Sequence, residues 1–350
     1  MKKIPLLSIL SSGALVLSTT LFGSTVTTDP VGYVTFTAAD SADTKFGLPM
    51  EQTAILETSA VSVASGVVAT SVDASAASDS HYLQFTSGAL SGQWFQVASS
   101  TETSITVAED LVSLGAASDD NFKVVPFWTL ATLFGTDFPV STDPFGAVAQ
   151  VLGNDVTGVG INKAPSSNYA YHDGSSGYIA AGWFNVNDAF AGNFDNLALS
   201  PDTFITIRNQ SGSTISLVVP GKVPTVPLSI GVVADATSAN DNLVYNPYPA
   251  DIQLSLSSLT DVVEVSTDPF SPVSQVVVYE SYNELNPSPT ANYAYHDGSS
   301  GYIAIGWFNV NDAFAGVQDT VTIPQGGAFI IRKGPGTSDG YWKASLPYTL

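Results

Sequence analysis

Short apolar runs separated by turn-forming residues follow one another along the chain from residue 26 onward. Runs such as Phe204-Ile-Thr-Ile-Arg208 and Phe329-Ile-Ile-Arg332 are rich in β-branched and aromatic residues, and Gly, Pro, Asn or Asp stands between successive runs. This composition is typical of short β-strands joined by tight turns. The pattern therefore predicts an all-β fold of tandem domains with internal repeats, each domain a β-sandwich or a partly open barrel.

The strand pattern is duplicated. Residues 168–192 recur as residues 292–316 with 24 of 25 positions identical, and the turn Val140-Ser-Thr-Asp-Pro-Phe145 recurs as Val265-Ser-Thr-Asp-Pro-Phe270. Because each copy of a repeat is expected to form the same structure, the chain divides into four parts after its first 25 residues. These parts are an N-terminal β domain (26–128), repeat unit 1 (129–222), a connecting segment (223–252) and repeat unit 2 (253–350).

Two weaker echoes link the remaining parts to the repeat units. The segment Asp241-Asn-Leu-Val-Tyr-Asn-Pro247 matches Asp43-Thr-Lys-Phe-Gly-Leu-Pro49 in the separation of Asp and Pro. The segment Gly92-Gln-Trp-Phe-Gln-Val97 parallels Gly182-Trp-Phe-Asn-Val186. The second echo indicates that the N-terminal domain is a diverged relative of the same unit.

Each long repeat predicts a β-hairpin. In the first copy, strands 169–172 and 178–186 flank the loop Asp173-Gly-Ser-Ser-Gly177, whose glycines can adopt positive φ. The second strand carries apolar residues on both faces, so we expect it to be covered on both sides. The only difference between the copies, Ala181 against Ile305, predicts that this position packs against different surroundings in the two units.

Polar and aromatic side chains of the hairpin are the candidate ligand-binding residues. A hydrolase site is disfavoured, because neighbouring strand residues face opposite ways and no nucleophile-elbow pattern is present. Exposed aromatic residues often stack on sugar rings, although aromatic residues in a strand covered on both sides are more often core. The candidates are His172, Asp173 and Trp183 in the first copy and His296, Asp297 and Trp307 in the second.

The turn after the hairpin offers oxygen ligands for a metal ion. Asn187 and Asp188, with Asn311 and Asp312 in the second copy, place amide and carboxylate oxygens close together, as Ca²⁺ sites do. The ordered spacing of a calcium-binding loop is missing, and metal-free turns formed by Asn and Asp are the alternative. With three histidines and no cysteine, the sequence predicts no zinc site, and no cofactor beyond Ca²⁺ is expected.

The N-terminus and the charge define the expected compartment and partners. Two lysines followed by an apolar run that is rich in Ser and Thr predict a cleaved signal peptide over residues 1–25, and thus a secreted protein or one of the outer cell envelope. No later apolar stretch is long enough for a transmembrane helix. A formal net charge of −21 argues against binding to nucleic acid or anionic membranes.

Several short motifs are distributed along the chain: Thr28-Asp-Pro-Val-Gly-Tyr-Val34, Tyr82-Leu-Gln-Phe-Thr-Ser-Gly88 with Gly92 and Trp94-Phe95, Phe127-Trp-Thr-Leu130 with Leu133-Phe-Gly135, and Asn246-Pro-Tyr-Pro249. In these motifs the chain resembles a verrucomicrobial paralogous family of secreted proteins of uncharacterised function. The resemblance covers most of the chain after residue 27 and implies a secreted, multi-copy envelope or extracellular protein. It implies no catalytic residues.

These observations predict a secreted or cell-surface structural or adhesive protein without catalytic activity. The alternative is a carbohydrate-binding module that uses the duplicated aromatic hairpins. The expected partners are cell-surface glycans or other copies of the chain itself, and two near-identical hairpins would add avidity to either interaction.

Overall fold

The computed structural model describes residues 29–135, 137–279 and 284–349. The segment with the predicted signal peptide lies outside these residues. Almost all regular structure is β, in several curled sheets, which confirms the all-β fold of sandwich-like domains. The described residues include two short α-helices, α1 (Leu111–Leu114) and α2 (Leu130–Phe134). None of the helices in these three ranges is long and apolar enough to cross a membrane.

The strands of the first part of the chain are β1 (Val31–Ala38), β2 (Ala42–Phe46), β3 (Leu56–Ser59), β4 (Ser62–Ala64), β5 (Val67–Ala69), β6 (His81–Phe85), β7 (Trp94–Thr101), β8 (Ser104–Val107) and β9 (Asn121–Pro126). They are followed by β10 (Trp128–Thr129), β11 (Val140–Ser141), β12 (Ala149–Asn154), β13 (Pro165–His172), β14 (Gly182–Asn185), β15 (Ala198–Leu199), β16 (Ile205–Asn209) and β17 (Ile215–Lys222). The last part contains β18 (Ile230–Val232), β19 (Asn240–Tyr245), β20 (Ile252–Gln253), β21 (Gln275–Val278), β22 (Ala291–His296), β23 (Gly306–Asn309), β24 (Thr322–Ile323), β25 (Ala328–Lys333) and β26 (Gly340–Trp342). Short 3₁₀ turns cover Leu254–Leu256 and Leu259–Asp261.

The two repeat units have the same topology. The main sheet of unit 1 has the order β2-β16-β12-β13-β14, and that of unit 2 has the order β19-β25-β21-β22-β23, with antiparallel neighbours throughout. In unit 1 β11 pairs in parallel with Tyr171 and His172 of β13, and a parallel bridge between Ser266 and His296 replaces it in unit 2. Two two-stranded ladders complete each unit. In unit 1 they are β1 with β17 and β10 with β15, and their equivalents in unit 2 are β18 with β26 and β20 with β24.

Strand pairing crosses the domain boundaries that the sequence suggested. Strands β1 and β2 belong to the segment assigned to the N-terminal domain, yet they pair with β17 and β16 of unit 1. Strands β18 and β19 of the connecting segment likewise pair with β26 and β25 of unit 2. The reason is that the first two strands of each unit pair with strands that come much later in the chain. The echo between Asp43–Pro49 and Asp241–Pro247 marks these equivalent strands.

A third domain is therefore inserted into unit 1 between β2 and β10. Its sheet has the order β3-β9-β6-β7-β8-β5-β4, and the first five of these strands repeat the order of the main sheets of the units. The Trp94-Phe95 pair lies on β7, whereas Trp183-Phe184 lies on β14, which is one strand further along the shared order. The echo between these two segments thus does not mark equivalent positions, although the strand orders agree.

The two units pack together through a reciprocal pair of polar contacts. Arg208 donates two hydrogen bonds of 2.8 Å to the buried carboxylate of Asp43 on the neighbouring strand, and Arg332 binds Asp241 in the same way at 2.7 and 3.0 Å. Asn286 of unit 2 contacts the first pair, and Asn162 of unit 1 contacts the second. The same contact thus occurs twice, as in an isologous interface with two-fold symmetry.

An apolar contact adds to this interface. The Tyr245 ring of unit 2 lies so close to Gly47 of unit 1 that a Cβ atom there would stand 1.9 Å from the ring. The Tyr245 hydroxyl lies 2.8 Å from the carbonyl oxygen of Pro201 and 3.2 Å from that of Leu48, and burial raises the pKa of this tyrosine. Phe204 of unit 1 packs into the same cluster. The units are therefore held by core-like packing as well as by ion pairs.

Candidate functional site

The long repeat forms a hairpin in both units, but with a longer loop than the sequence predicted. Strand β13 pairs with β14 so that Tyr171 faces Trp183 and His172 faces Gly182, and the loop spans residues 173–181. Gly174 and Gly177 adopt φ of 82° and 74°, as their positions in the turn predicted. The second strand is short because residues 178–181 leave the sheet, and regular pairing resumes only at Gly182.

The two candidate tryptophans are core residues. Trp183 and Trp307 are each 1% exposed. The Trp183 ring packs against Phe134 and Phe138, with centroids 5.3 and 4.9 Å away, and Phe184 covers the other face of β14 in a separate small cluster. The strand is covered on both sides, as the sequence predicted. Both tryptophans are therefore core residues, which the sequence favoured over the alternative of sugar stacking, and Trp183 also lines a shallow cavity.

The histidines hold the loop to the sheet. His172 is fully buried, and its Nδ1 accepts a hydrogen bond of 2.7 Å from the Gly174 backbone N–H, while its Nε2 lies 3.3 Å from the Thr142 carbonyl oxygen. His296 accepts the same bond from Gly298 at 2.7 Å, but its Nε2 has no partner among the residues that the structure describes. These side chains stabilise the turn and are closed to solvent.

The neighbouring aspartates, Asp173 and Asp297, are exposed to solvent. Oδ1 of Asp173 accepts a hydrogen bond of 2.8 Å from the Ser175 N–H, and Asp297 makes the same turn with Ser299. Hydrogen bonds from the side chain and backbone of Ser175 hold the pKa of Asp173 below its ordinary value. Histidine and aspartate therefore have different environments, one buried and one exposed, and different hydrogen-bond partners.

The candidate metal ligands lie in turns that hydrogen bonds between nearby residues stabilise. Asn185 Oδ1 accepts a hydrogen bond of 2.9 Å from the Asn187 N–H, and Asp188 Oδ1 accepts one of 3.3 Å from the Phe190 N–H. In the second copy, Asn309 Oδ1 accepts a hydrogen bond of 2.9 Å from the Asn311 N–H, and Asp312 is the next residue along the chain. Within the described ranges, no group of three or more His, Cys, Asp or Glu side chains is arranged to hold a metal ion. Binding of Ca²⁺ at these residues stays a prediction.

The structure brings together three exposed aromatic residues that the sequence did not single out. Phe145, at the end of the repeated Val-Ser-Thr-Asp-Pro-Phe turn, lies 6.1 Å from Tyr178 and 6.4 Å from Phe190, measured between ring centroids. We call these three residues aromatic patch 1. Tyr178 belongs to the hairpin loop and Phe190 to the turn after β14. The two segments that are repeated in sequence therefore meet at one surface.

The same arrangement occurs in unit 2. Phe270 lies 5.7 Å from Tyr302 and 6.0 Å from Phe314, and these residues form aromatic patch 2. All six side chains are between 61% and 70% exposed. Interplanar angles of 63° and 54° in patch 1 are matched by 66° and 53° in patch 2. The aromatic surface is thus duplicated in detail.

A shallow cavity opens beside each patch. The cavity of patch 1 has a volume of about 260 Å³, and that of patch 2 about 210 Å³. Their shared lining consists of the patch tyrosine and second phenylalanine with Ile179, Ala180, Phe184, Ala189 and Gly192, or their equivalents Ile303, Ala304, Phe308, Ala313 and Gly316. Asn193 lines the first cavity where Val317 lines the second, and Trp183 lines the first cavity only. The sites therefore have one shape and a small difference in polarity.

The position that differs within the long repeat lies at the surface. Ile305 is 60% exposed, and Ala181 is exposed as well. The prediction that this position packs in two different core environments is therefore wrong, because residues 178–181 belong to the loop and not to a covered strand. The sequence did contain a signal for this loop: its aromatic residues are flanked by Gly, Ser and Asp, and such segments form loops at the surface.

Comparison of the chain with protein families, with curated proteins and with solved structures gave no match. The structure itself defines a class: an all-β protein of two equivalent sandwich-like units, with a related domain inserted into the first. The resemblance to the verrucomicrobial secreted family stays a prediction.

Proposed function

We propose that this protein is a non-catalytic adhesive protein, secreted or held at the outer cell envelope, whose aromatic patches 1 and 2 are its two binding surfaces. The observation that carries the proposal is the double occurrence of three exposed aromatic residues in one geometry. Single exposed apolar residues are ordinary, but a contiguous exposed cluster marks an interaction site. Here the cluster occurs at equivalent places in both units.

The sequence around the patches supports this assignment. Outside the repeated segments the units have diverged widely, yet Phe145 and Phe270 are retained in the repeated turn and the other four patch residues in the long repeat. Packing in a core does not account for the identity of side chains that are mostly exposed. A shared ligand for both units accounts for it.

Two equivalent sites also suit adhesion. When two sites on one molecule bind a surface that carries many ligands, the second contact is intramolecular, and the overall affinity rises by about 10² to 10⁴ without any new contact. A protein with weak individual sites can therefore hold a surface firmly. The bivalent arrangement favours an adhesive role over capture of a free small molecule.

The surroundings of the polar hairpin residues support the absence of catalysis. A general base must reach the proton that it removes, but His172 is buried and binds the backbone of its own loop. Asp173 and Ser175 bind each other in a turn. In this arrangement the hairpin polar groups shape the loop that carries Tyr178.

Binding of the purified chain to isolated cell envelopes tests the proposal. The double variant Phe145→Ala/Phe270→Ala removes one ring from each patch without touching the hairpin, and we expect its binding to fall at least tenfold. The control variant Tyr33→Ala/Tyr341→Ala removes two exposed tyrosines elsewhere and should bind like the wild type. Undiminished binding of the patch variant, with an unchanged circular dichroism spectrum, would overturn the proposal.

A further inference from the structure

We infer that each aromatic patch binds a single hexose ring of an uncharged polysaccharide. This inference rests on the proposed adhesive function and adds the chemical class of the ligand. It assigns carbohydrate recognition to the exposed rings of the loops, instead of to the buried tryptophans that the sequence offered as an alternative site.

The size and shape of the sites indicate one ring. Cavities of about 260 and 210 Å³ are smaller than the roughly 300 Å³ at which pockets for drug-sized ligands begin. In patch 1 the Phe145 ring is inclined to those of Tyr178 and Phe190 by 63° and 54°. A flat ligand can therefore stack on one ring while its edge meets another, and an extended aromatic ligand cannot lie on all three.

The distribution of apolar and polar groups matches a sugar. A hexose has a face of C–H groups and an edge of hydroxyl groups. Aromatic and aliphatic side chains pack against the C–H face. The buried lining of the cavity is apolar, with Trp183, Phe184 and Ala189. Half-buried Ser176 and exposed Asp188 stand two residues before Tyr178 and Phe190, so a hydroxyl and a carboxylate group lie close in sequence to the aromatic rings.

These same polar residues hold the backbone at the positions that carry the aromatic rings. Ser176 Oγ accepts a hydrogen bond of 3.2 Å from the Tyr178 N–H, and Asp188 Oδ1 accepts one from the Phe190 N–H. Identical bonds hold Tyr302 through Ser300. The loops are therefore formed before a ligand arrives, and less conformational entropy is lost on binding.

Charge selects a neutral ligand. No Lys or Arg occurs in residues 124–162, 164–207 or 223–331, which contain every patch residue. Asp173 and Asp188 make the surroundings of patch 1 acidic. An anionic polymer or a second copy of a chain with a formal net charge of −21 would be repelled, whereas an uncharged polysaccharide would not.

The two cavities differ in polarity at one pair of equivalent positions, Asn193 and Val317, and Trp183 lines the first cavity only. Asn193 Oδ1 accepts a hydrogen bond from the Asp195 N–H, and Asn193 brings an amide side chain, with its N–H donors, to the lining of the first cavity. Val317 provides no such donor in patch 2. For a ligand rich in hydroxyl groups, patch 1 should be the stronger site. For a purely apolar ligand, patch 2 should be the stronger site.

Calorimetric titration of the full chain with soluble polysaccharides tests the inference. The probes are neutral polymers of glucose, mannose and galactose, with alginate as an anionic polymer and chitosan as a cationic one. We expect binding to at least one neutral polymer and none to alginate. Tyr178→Ala/Tyr302→Ala should lower the affinity at least tenfold, Tyr178→Ala alone should cost more than Tyr302→Ala alone, and Tyr33→Ala/Tyr341→Ala should bind like the wild type.

The outcomes separate the ligand class from the proposed function. Binding to none of the neutral polymers, stronger binding to alginate or chitosan, or neutral binding that survives the double tyrosine substitution would each overturn the inference. If binding to cell envelopes still depended on Phe145 and Phe270 in that case, the adhesive function would stand with another ligand. If neither envelope nor polysaccharide binding depended on the patches, both proposals would fail.

Discussion

Asn162 and Asn286 occupy corresponding loops of the two units, and each contacts the arginine–aspartate pair of the opposite unit. The Asn286 N–H donates to Asp43 at 2.9 Å and its side-chain oxygen accepts from Arg208 at 2.6 Å; Asn162 makes the same two contacts with Asp241 and Arg332 at 2.7 and 3.3 Å. Both asparagines have positive φ, of 55° and 53°. Asn tolerates this conformation better than most residues, so the backbone and the side chain favour the same residue type.

Removal of one asparagine side chain should loosen the interface between the units. Asn286→Ala removes a hydrogen bond to a charged group and places Ala at positive φ, and we expect the free energy of unfolding to fall by about 2 kcal/mol. Urea denaturation measures this loss. Asn286→Gly keeps the backbone conformation accessible and should lose only the side-chain part, about 1 kcal/mol. Equal losses in both variants would contradict a contribution from the backbone.

The Asp43 carboxylate should make stability depend on acid pH. Burial by itself raises its pKa, but hydrogen bonds from Arg208 and from the Asn286 N–H outweigh burial and lower the pKa below the ordinary 3.8. The ion pair therefore contributes fully above about pH 4, and its contribution is lost as the pH falls through the folded pKa. Asp43→Asn should lower stability at pH 7 by roughly 3 kcal/mol, because Arg208 loses its partner.

The test is a comparison of unfolding free energies between pH 7 and pH 2.5. The difference between wild type and Asp43→Asn should be constant down to about pH 4 and shrink below it. The exposed Asp119 offers a control, since Asp119→Asn should follow the wild-type curve. A difference that grows on acidification would contradict the assigned direction of the pKa shift.

The two buried histidines should differ in their contributions to stability. His172 uses both ring nitrogens, whereas His296 uses only Nδ1 among the described residues. Replacement by Ala leaves a cavity and an unpaired glycine N–H in either unit, at a cost of about 3 kcal/mol. His172→Ala should cost about 1 kcal/mol more than His296→Ala, because it loses one further hydrogen bond. Thermal unfolding of the two variants measures the difference, and a larger loss for His296→Ala would contradict it.

The exchange of Ala181 and Ile305 should have almost no effect on stability. Both side chains are exposed, and surface substitutions away from special features usually change the free energy of unfolding by less than about 0.5 kcal/mol. The melting temperature of the double variant Ala181→Ile/Ile305→Ala should therefore match that of the wild type. Trp183→Ala in the adjacent strand provides the contrast, with an expected loss of about 4 kcal/mol.

The sequence predicted the features that depend on local pattern. Strand composition, the duplicated hairpin and the positive φ of Gly174 and Gly177 follow from neighbouring residues. The division into domains does not, because β2 pairs with β16 across more than a hundred residues that include a complete inserted domain. In the sequence, only the similarity between the Asp43 and Asp241 segments indicated this pairing. Asp43 is the residue on β2 that binds Arg208 of β16.

The candidate site was partly predictable for a similar reason. The repeat identified the segment that carries the site, but the choice between Trp183 and Tyr178 required knowledge of where the strand begins. With β14 starting at Gly182, Trp183 enters the core and Tyr178 stays in the loop. Phe145 joins the patch through tertiary contact alone, which no local pattern encodes. Its repetition as Phe270 was the available sign.

The pairing of the two units does not depend on protein concentration. Two separate subunits with such an interface would dissociate as their concentration falls, because association is bimolecular. Here one chain supplies both halves, so their pairing is a first-order process with a fixed effective concentration. The spacing between aromatic patches 1 and 2 is therefore the same in a single isolated molecule as in a concentrated solution.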